Sequence, residues 1–213
     1  MKETRASFFA RLEPLFPRSV LNDIKLAYTL SKYGHRAQIR KEKDEQGCPI
    51  RYFEHVRRVT LILIDEVGII RPEMIIGGLV HDCPEDTKDI DHEMVEHCFG
   101  PEVATIVKFL SKTPSEGYVA RFHLCTDWRP LVLKSCDRLD NMRSLSSGTL
   151  AFRQKQVTET REKYFPLFDR MVDMTPKETD VRQRVIRLRD MIRSETERQS
   201  TLLEVEVSLV NNA

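Results

Sequence analysis

Apolar residues recur at spacings of three and four along most of the chain, the period of helices that each turn one face to a core. Phe8, Phe9, Leu12, Leu15 and Phe16 form the first such stretch, which Pro17 stops. Ser19 stands where it can cap a second, running through Ile24, Ala27, Tyr28 and Leu30 toward Tyr33. The pattern lapses from Arg36 to Arg51, where Arg36, Arg40, Lys41, Lys43 and Arg51 accompany Gly47 and Pro49. That composition predicts a polar, turn-prone loop richer in cations than in anions. The helical period resumes from about Tyr52 to Val67 and aligns His55, Val56, Val59, Leu63 and Val67, so His55 is expected to face inward. Gly68 ends this helix and Pro72 opens the next, which finishes at His81-Asp82 because Pro84 disfavours continuation through Cys83.

Asp91 is a plausible cap for a helix through Met94, Val95 and Cys98. In Phe99-Gly100-Pro101, Gly closes that helix and Pro starts another bearing Val103, Ile106, Val107, Phe109 and Leu110. Thr113 to Trp128 contains Pro114 and Gly117 and predicts a mobile loop or a short helix. Pro130 opens a helix on which Lys134, Asp137, Asn141 and Ser144 share one polar face, in a segment otherwise apolar. Two long amphipathic segments follow, roughly Phe152 to Val172 and Lys177 to Glu195. The strongest alternating, strand-like pattern is Glu204-Val205-Glu206-Val207 at the tail. The expected fold class is therefore all-α.

Composition narrows the functional classes. The chain has 213 residues, room for one domain with a full core, or for one domain and a helical extension. Its 34 basic and 33 acidic residues leave a net charge of +1, so no global field points to nucleic acid or a membrane surface. No apolar run reaches membrane-spanning length, and a cytoplasmic protein is expected. The five cysteines are odd in number and lack Cys-x-x-Cys spacing, which argues against a disulfide framework and a structural zinc site.

Chemistry concentrates in Gly77-Gly78-Leu79-Val80-His81-Asp82-Cys83-Pro84-Glu85-Asp86-Thr87, where four side chains able to bind a metal or move a proton occupy six positions. Imidazole and carboxylate together suit manganese, iron or zinc better than magnesium or calcium. His55, His81, Asp82 and Asp137, delivered from three helices, can hold one divalent ion with positions left open for water and substrate. Glu85 and Asp86 follow directly and can act as base and proton donor. Arg40, Lys41, Lys134 and Arg138 supply the positive charge that suits a phosphate-bearing substrate. Each signal alone is more often structural: an inward His packs in a core, Glu-Asp-Thr caps a helix, and Arg-Leu-Asp-Asn-Met-Arg forms a salt-bridged face. Their joint occurrence in one order points to phosphoanhydride or phosphoester hydrolysis.

The same residues carry a resemblance. Arg40-Lys41, Tyr52-x-x-His55, His81-Asp82-x-x-Glu85-Asp86-Thr87, Phe99-Gly100-x-Glu102-Val103 and Lys134-x-x-Asp137-Arg138-Leu139-x-Asn141-Met142-Arg143 resemble the hydrolase domain of the Rel/SpoT homologues, from about Leu26 to Phe168. The resemblance implies an HD-domain helical bundle over 1–175, with 176–213 a helical extension packed on it or on a partner subunit. It implies removal of the 3′-pyrophosphate from guanosine tetra- or pentaphosphate with a single manganese ion, as in the stand-alone small alarmone hydrolases. By the same resemblance, His55, His81, Asp82 and Asp137 are the metal ligands and Glu85 with Asp86 handles the nucleophilic water. Arg40 stacks on the purine beside Lys41, and Asn141 and Ser144 contact the nucleoside or its phosphates. Ser144 stands where the family usually has Thr, Asp140 where His is common, and Pro84 where an aliphatic residue is usual. Other readings left open are hydrolysis of an adenosine alarmone or of a nicotinamide dinucleotide phosphate, and a silent alarmone-binding protein. A homo-oligomer is also compatible with the sequence.

Overall fold

The computed structural model describes residues 3–112, 115–177 and 180–211, and its elements are almost all helical. The apolar spacings translate into a core continuous from Phe8 to Ile192, in which Phe8, Leu12, Ile24, Leu63, Leu79 and Ile106 are fully buried. Helix α1 (Arg5–Ala10) is closed by a reciprocal capping box between Thr4 and Ser7. Helix α2 (Arg18–Gly34) starts one residue before Ser19, with extended Pro17 at the cap position and no side-chain cap. Ser19 is thus inside the first turn and does not cap it.

The stretch 36–51 differs from the loop expected of it. Ile39–Lys43 (β1) and Pro49–Arg51 (β2) form an antiparallel hairpin whose residues are exposed or only half-buried. Its turn is stabilised by the Asp44 carboxylate, which accepts from the Gln46 and Cys48 amides at 3.0 and 2.8 Å, and by Gly47 at φ 80°. The strands pair with each other and bury no apolar stripe, so period-two hydrophobicity has nothing to record there.

Helix α3 (Tyr52–Leu61) runs into a π-helical turn, Ile62–Val67, that ends at Gly68 with φ 76°. Helix α4 (Pro72–Val80) is buried all round and packs against α2, α3 and α6 (His92–Leu110). Gly77 and Gly78 make that contact possible. A Cβ on Gly77 would meet Ile106 Cγ2 at 3.2 Å, and one on Gly78 would meet Thr60 Oγ1 at 3.0 Å. The chain then turns through His81 and Asp82 into a single helical turn, α5 (Cys83–Asp86), that begins with Pro84 in its first turn. In α6, Asp91 accepts from the Met94 amide at 2.8 Å, and Gly100, at φ 83°, kinks the helix before Pro101.

Between α6 and α8 (Trp128–Arg143) lies a short helix, α7 (Tyr118–Leu124); Thr113 and Pro114, named in the loop expectation, lie outside the described residues. Helices α9 (Leu150–Glu159) and α10 (Phe165–Met174) are joined through a π-helical turn. The last helix, α11 (Asp180–Asn211), buries Val185, Leu188 and Ile192 in the main core and packs along α8. It passes through Glu204-Val205-Glu206-Val207 without a break, against the strand-like reading. Leu203, packed with Met142, Leu145 and Val157, needs the helical period, and Arg153 reaches Glu206 at 2.6 Å. Among the described residues, no helix is long and apolar enough to cross a membrane.

Candidate active site

Three helices deliver the centre. His55 comes from the first turn of α3, His81 and Asp82 from the end of α4, and Asp137 from the middle of α8. One ligand atom each from His55, His81 and Asp82 lies within 4.8 Å of the others, and all three residues are buried. His55 Nε2 stands 3.6 Å from Asp82 Oδ2 and 3.3 Å from Asp137 Oδ1. His81 donates from Nδ1 to the Gly78 carbonyl at 2.8 Å, which turns its Nε2 toward Asp82 Oδ2, 3.0 Å away. That buried Nε2 has no hydrogen-bond partner.

Electrostatics explains what such a cluster wants. Burial by itself lowers the His55 imidazole, but hydrogen bonds to Asp137, Asp140 and Asp82 outweigh it and push His55 up to about 10. Burial likewise opposes the rise of His81, which the Asp82 carboxylate drives. Against the cost of their own burial, Asp82 is held well below the usual carboxylate range by His81 and His55, and Asp137 by Lys134 and then His55. The imidazole protons thus occupy a strongly negative pocket. A buried, unpartnered nitrogen, a second imidazole and carboxylates in one pocket fit a divalent cation, whose charge would replace those protons.

Glu85 and Asp86 follow on α5, outside this cluster. Glu85 accepts from the Lys112 amide at 2.8 Å and lies 3.5 Å from Lys112 Nζ. Gln38 donates to the Asp86 carbonyl, which ties the hairpin's entry to α5. Partial desolvation and then the Asp82 carboxylate push the Asp86 carboxyl up from its ordinary value.

Beside the cluster opens a cleft of about 890 Å³, and all six cationic and polar residues singled out for substrate line it: Arg40, Lys41, Lys134, Arg138, Asn141 and Ser144. Asp137 and Tyr52 line it too and join it to the cluster, since the Tyr52 hydroxyl donates to Asp82 Oδ2 at 2.8 Å. The six are not alike. Arg40 reaches across from β1 to donate to Asn141 Oδ1 at 2.9 Å and Ser144 Oγ at 3.2 Å. Lys41 Nζ sits 5.4 Å from the Phe152 ring. Lys134 is buried and paired to Asp137 at 2.7 Å, while the Arg138 guanidinium carbon sits over Tyr164, 3.8 Å from its centroid, and Arg138 donates to Gln156.

Sequence reasoning passed over several contributors. Lys112 lines the cleft and holds Glu85, and Tyr118, Lys163 and Tyr164 line it as well. Asp140, noted as a departure from the family, accepts from His55 Nδ1 at 2.6 Å. Its spacing of three from Asp137 was a readable signal, because it puts both carboxylates on neighbouring faces of one helix.

No family model matches the chain. The GTP pyrophosphokinase of Streptomyces coelicolor is 32% identical over 169 residues, 75% of this chain but 19% of that protein, so the chain spans about a fifth of this long relative. The guanosine-3′,5′-bis(diphosphate) 3′-pyrophosphohydrolase of Aquifex aeolicus is 35% identical over 158 residues, 70% of this chain and 21% of its own length. A solved structure, reported as a metazoan ortholog of SpoT that hydrolyzes ppGpp, superposes with a TM-score of 0.56 at 25% identity, covering 81% of this chain and 95% of that one. The Drosophila melanogaster guanosine-3′,5′-bis(diphosphate) 3′-pyrophosphohydrolase MESH1 is 33% identical over 147 residues, which cover 66% of this chain and 78% of that protein. With its helical fold and its His-Asp cluster set beside these relatives, the chain belongs to the HD-domain family of Rel/SpoT-homologue hydrolases.

Proposed function

We propose that this protein hydrolyses the 3′-pyrophosphate of guanosine tetra- or pentaphosphate, giving GDP or GTP and pyrophosphate. The observation that carries the reading is the buried His55, His81 and Asp82 cluster at the edge of a cleft lined by cations. The names of the Drosophila and Aquifex relatives supply the substrate. His55, His81, Asp82 and Asp137 are the side chains we assign to one divalent ion, taken to be manganese. When bound, such an ion supplies Lewis acidity and an acidified water.

The remaining work falls to the chain's own groups. Arg40 and Lys41, on the exposed strand, bind the nucleotide, Arg40 by its flat guanidinium and Lys41 by its charge. Asn141 and Ser144, which hold Arg40 from α8, present their polar atoms to the same space. Lys134 neutralises Asp137 and keeps that carboxylate ionised. In the reaction, water oxygen bonds to the phosphorus on the 3′ oxygen, and the bond from that phosphorus to the 3′ oxygen breaks. One carboxylate of the Glu85 and Asp86 pair takes the proton from water, and the 3′ oxygen gains one. All five cysteines are free thiols, which suits a reducing compartment such as the cytoplasm. The test is incubation of the purified protein with manganese and a panel of 3′-pyrophosphorylated nucleotides, following pyrophosphate. Release from the guanosine substrates is expected; release only from adenosine substrates would replace the substrate, and no release from any would reject the activity.

A further inference from the structure

The two imidazoles of the centre are oriented by different means. Both turn Nε2 inward and engage Nδ1 outward, but His81 is held by a neutral backbone carbonyl, whereas His55 is held by the Asp140 carboxylate. Asp140 is itself buried, and a buried carboxylate is costly unless it is paired and hydrogen-bonded. Its pairing is complete: Oδ2 accepts from His55 Nδ1 at 2.6 Å, while Arg58 donates to Oδ1 at 2.7 Å and to Oδ2 at 3.1 Å. Arg58 is in turn anchored by Glu42 Oε2 at 2.8 Å, and Glu42 lies on β1, two residues after Arg40. With Nδ1 engaged by Asp140, Nε2 of His55 is the ring atom left facing Asp82 and Asp137, and so the one a metal would take.

We propose that Asp140 is a positioning residue of the metal centre, fixing the ring orientation and basicity of His55, and that Arg58, anchored on the hairpin by Glu42, braces it. The inference rests on the reading of His55 as a metal ligand. A purely structural Asp140 would stabilise the fold without tuning the centre. A positioning Asp140 changes metal affinity and ligand field in a folded protein, because outer carboxylates of this kind contribute roughly 10–100-fold to metal affinity.

The experiment uses the full chain, stripped of metal with a chelator, with manganese affinity measured by calorimetry and fold by circular dichroism. Asp140→Ala is expected to weaken manganese binding about 10–100-fold. Asp140→Asn, which keeps an acceptor without the charge, should lose less, and its cobalt-substituted form should show a shifted visible absorption band. Arg58→Met should lose a few-fold, and adding it to Asp140→Ala should lose nothing further, since Arg58 acts through Asp140. Unchanged affinity in Asp140→Ala, or additive losses in the double variant, would overturn the proposal. Should Asp140→Ala fail to fold, Asp140→Asn decides alone, and native manganese affinity with an unshifted cobalt band rejects the positioning role. His81→Ala is the control that separates the two readings: if it too keeps native affinity, the metal assignment itself has failed.

Discussion

The metal end and the hairpin end of the site are built on opposite principles. At the metal end His55, His81, Asp82 and Asp137 come from three packed helices, are almost wholly buried, and are cross-connected at 3.0 to 3.6 Å. At the hairpin end Arg40 and Lys41 stand on a two-stranded ribbon with no buried residue, and Arg40 is tied to the body by hydrogen bonds to Asn141 and Ser144. Buried charge demands fixed partners, so the metal end is held rigidly before any ligand arrives. A ribbon on the surface can adjust, which suits recognition of a large, flexible nucleotide. The difference teaches that chemistry and substrate choice are separable here, and variants at each end should show it.

The largest effect is expected from the metal end. His81→Ala or Asp82→Asn should abolish both activity and tight metal binding while circular dichroism stays helical, because few ligands hold the ion and many apolar residues hold the fold. Calorimetry with native manganese affinity in Asp82→Asn would break the comparison at its root. Next come Glu85→Gln and Asp86→Asn, which should keep the metal and lose about 10²–10⁴ in turnover, having removed a proton carrier and no ligand. Loss of metal in either variant would make it a ligand and enlarge the metal end.

Smaller effects belong to the hairpin. Stacking of a planar guanidinium contributes on the order of 0.5–2 kcal/mol, so Arg40→Ala should raise the substrate dissociation constant by a few to several tens of fold with metal affinity unchanged. Arg40→Lys should recover part of that loss if the flat face matters and nearly all if only charge does. Equilibrium binding of a nonhydrolysable substrate analogue to both variants reads this directly. The control lies away from both ends: Leu188→Ala, at a fully buried core position of α11, should cost about 2–5 kcal/mol of stability. Denaturant titration should register that loss while the metal and substrate constants stay native, and a changed metal constant would tie α11 to the centre.

Much of this was legible in the chain. Helices with a core face announce themselves by local period, and so did α3, α4, α6 and α8; the glycine and proline breaks at Gly68, Pro72, Gly100 and Pro101 are equally local. The polar face of α8 was readable because Asp137 accepts from Lys134, three residues before it, and from Asn141, four residues after it. The His-Asp and Glu-Asp pairs were readable as unusual clusters of chemistry.

Only the tertiary structure decided the rest. The hairpin escaped notice because exposed strands need no apolar alternation, and at the tail Glu-Val-Glu-Val alternates yet is helical because its neighbour Leu203 packs on the helical period. Lys134 and Arg138 were read as positive charge for a phosphate-bearing substrate, and the fold pairs one with Asp137 and sets the other over Tyr164. Asp140 pairs with His55 across 85 positions and Tyr52 with Asp82 across 30. Period and propensity are properties of a few adjacent residues, so the sequence by itself determined the helices and the inventory of chemistry. Which buried charge meets which depends on the packing of α3, α4 and α8, where low dielectric makes each pairing decisive, and no local pattern records it.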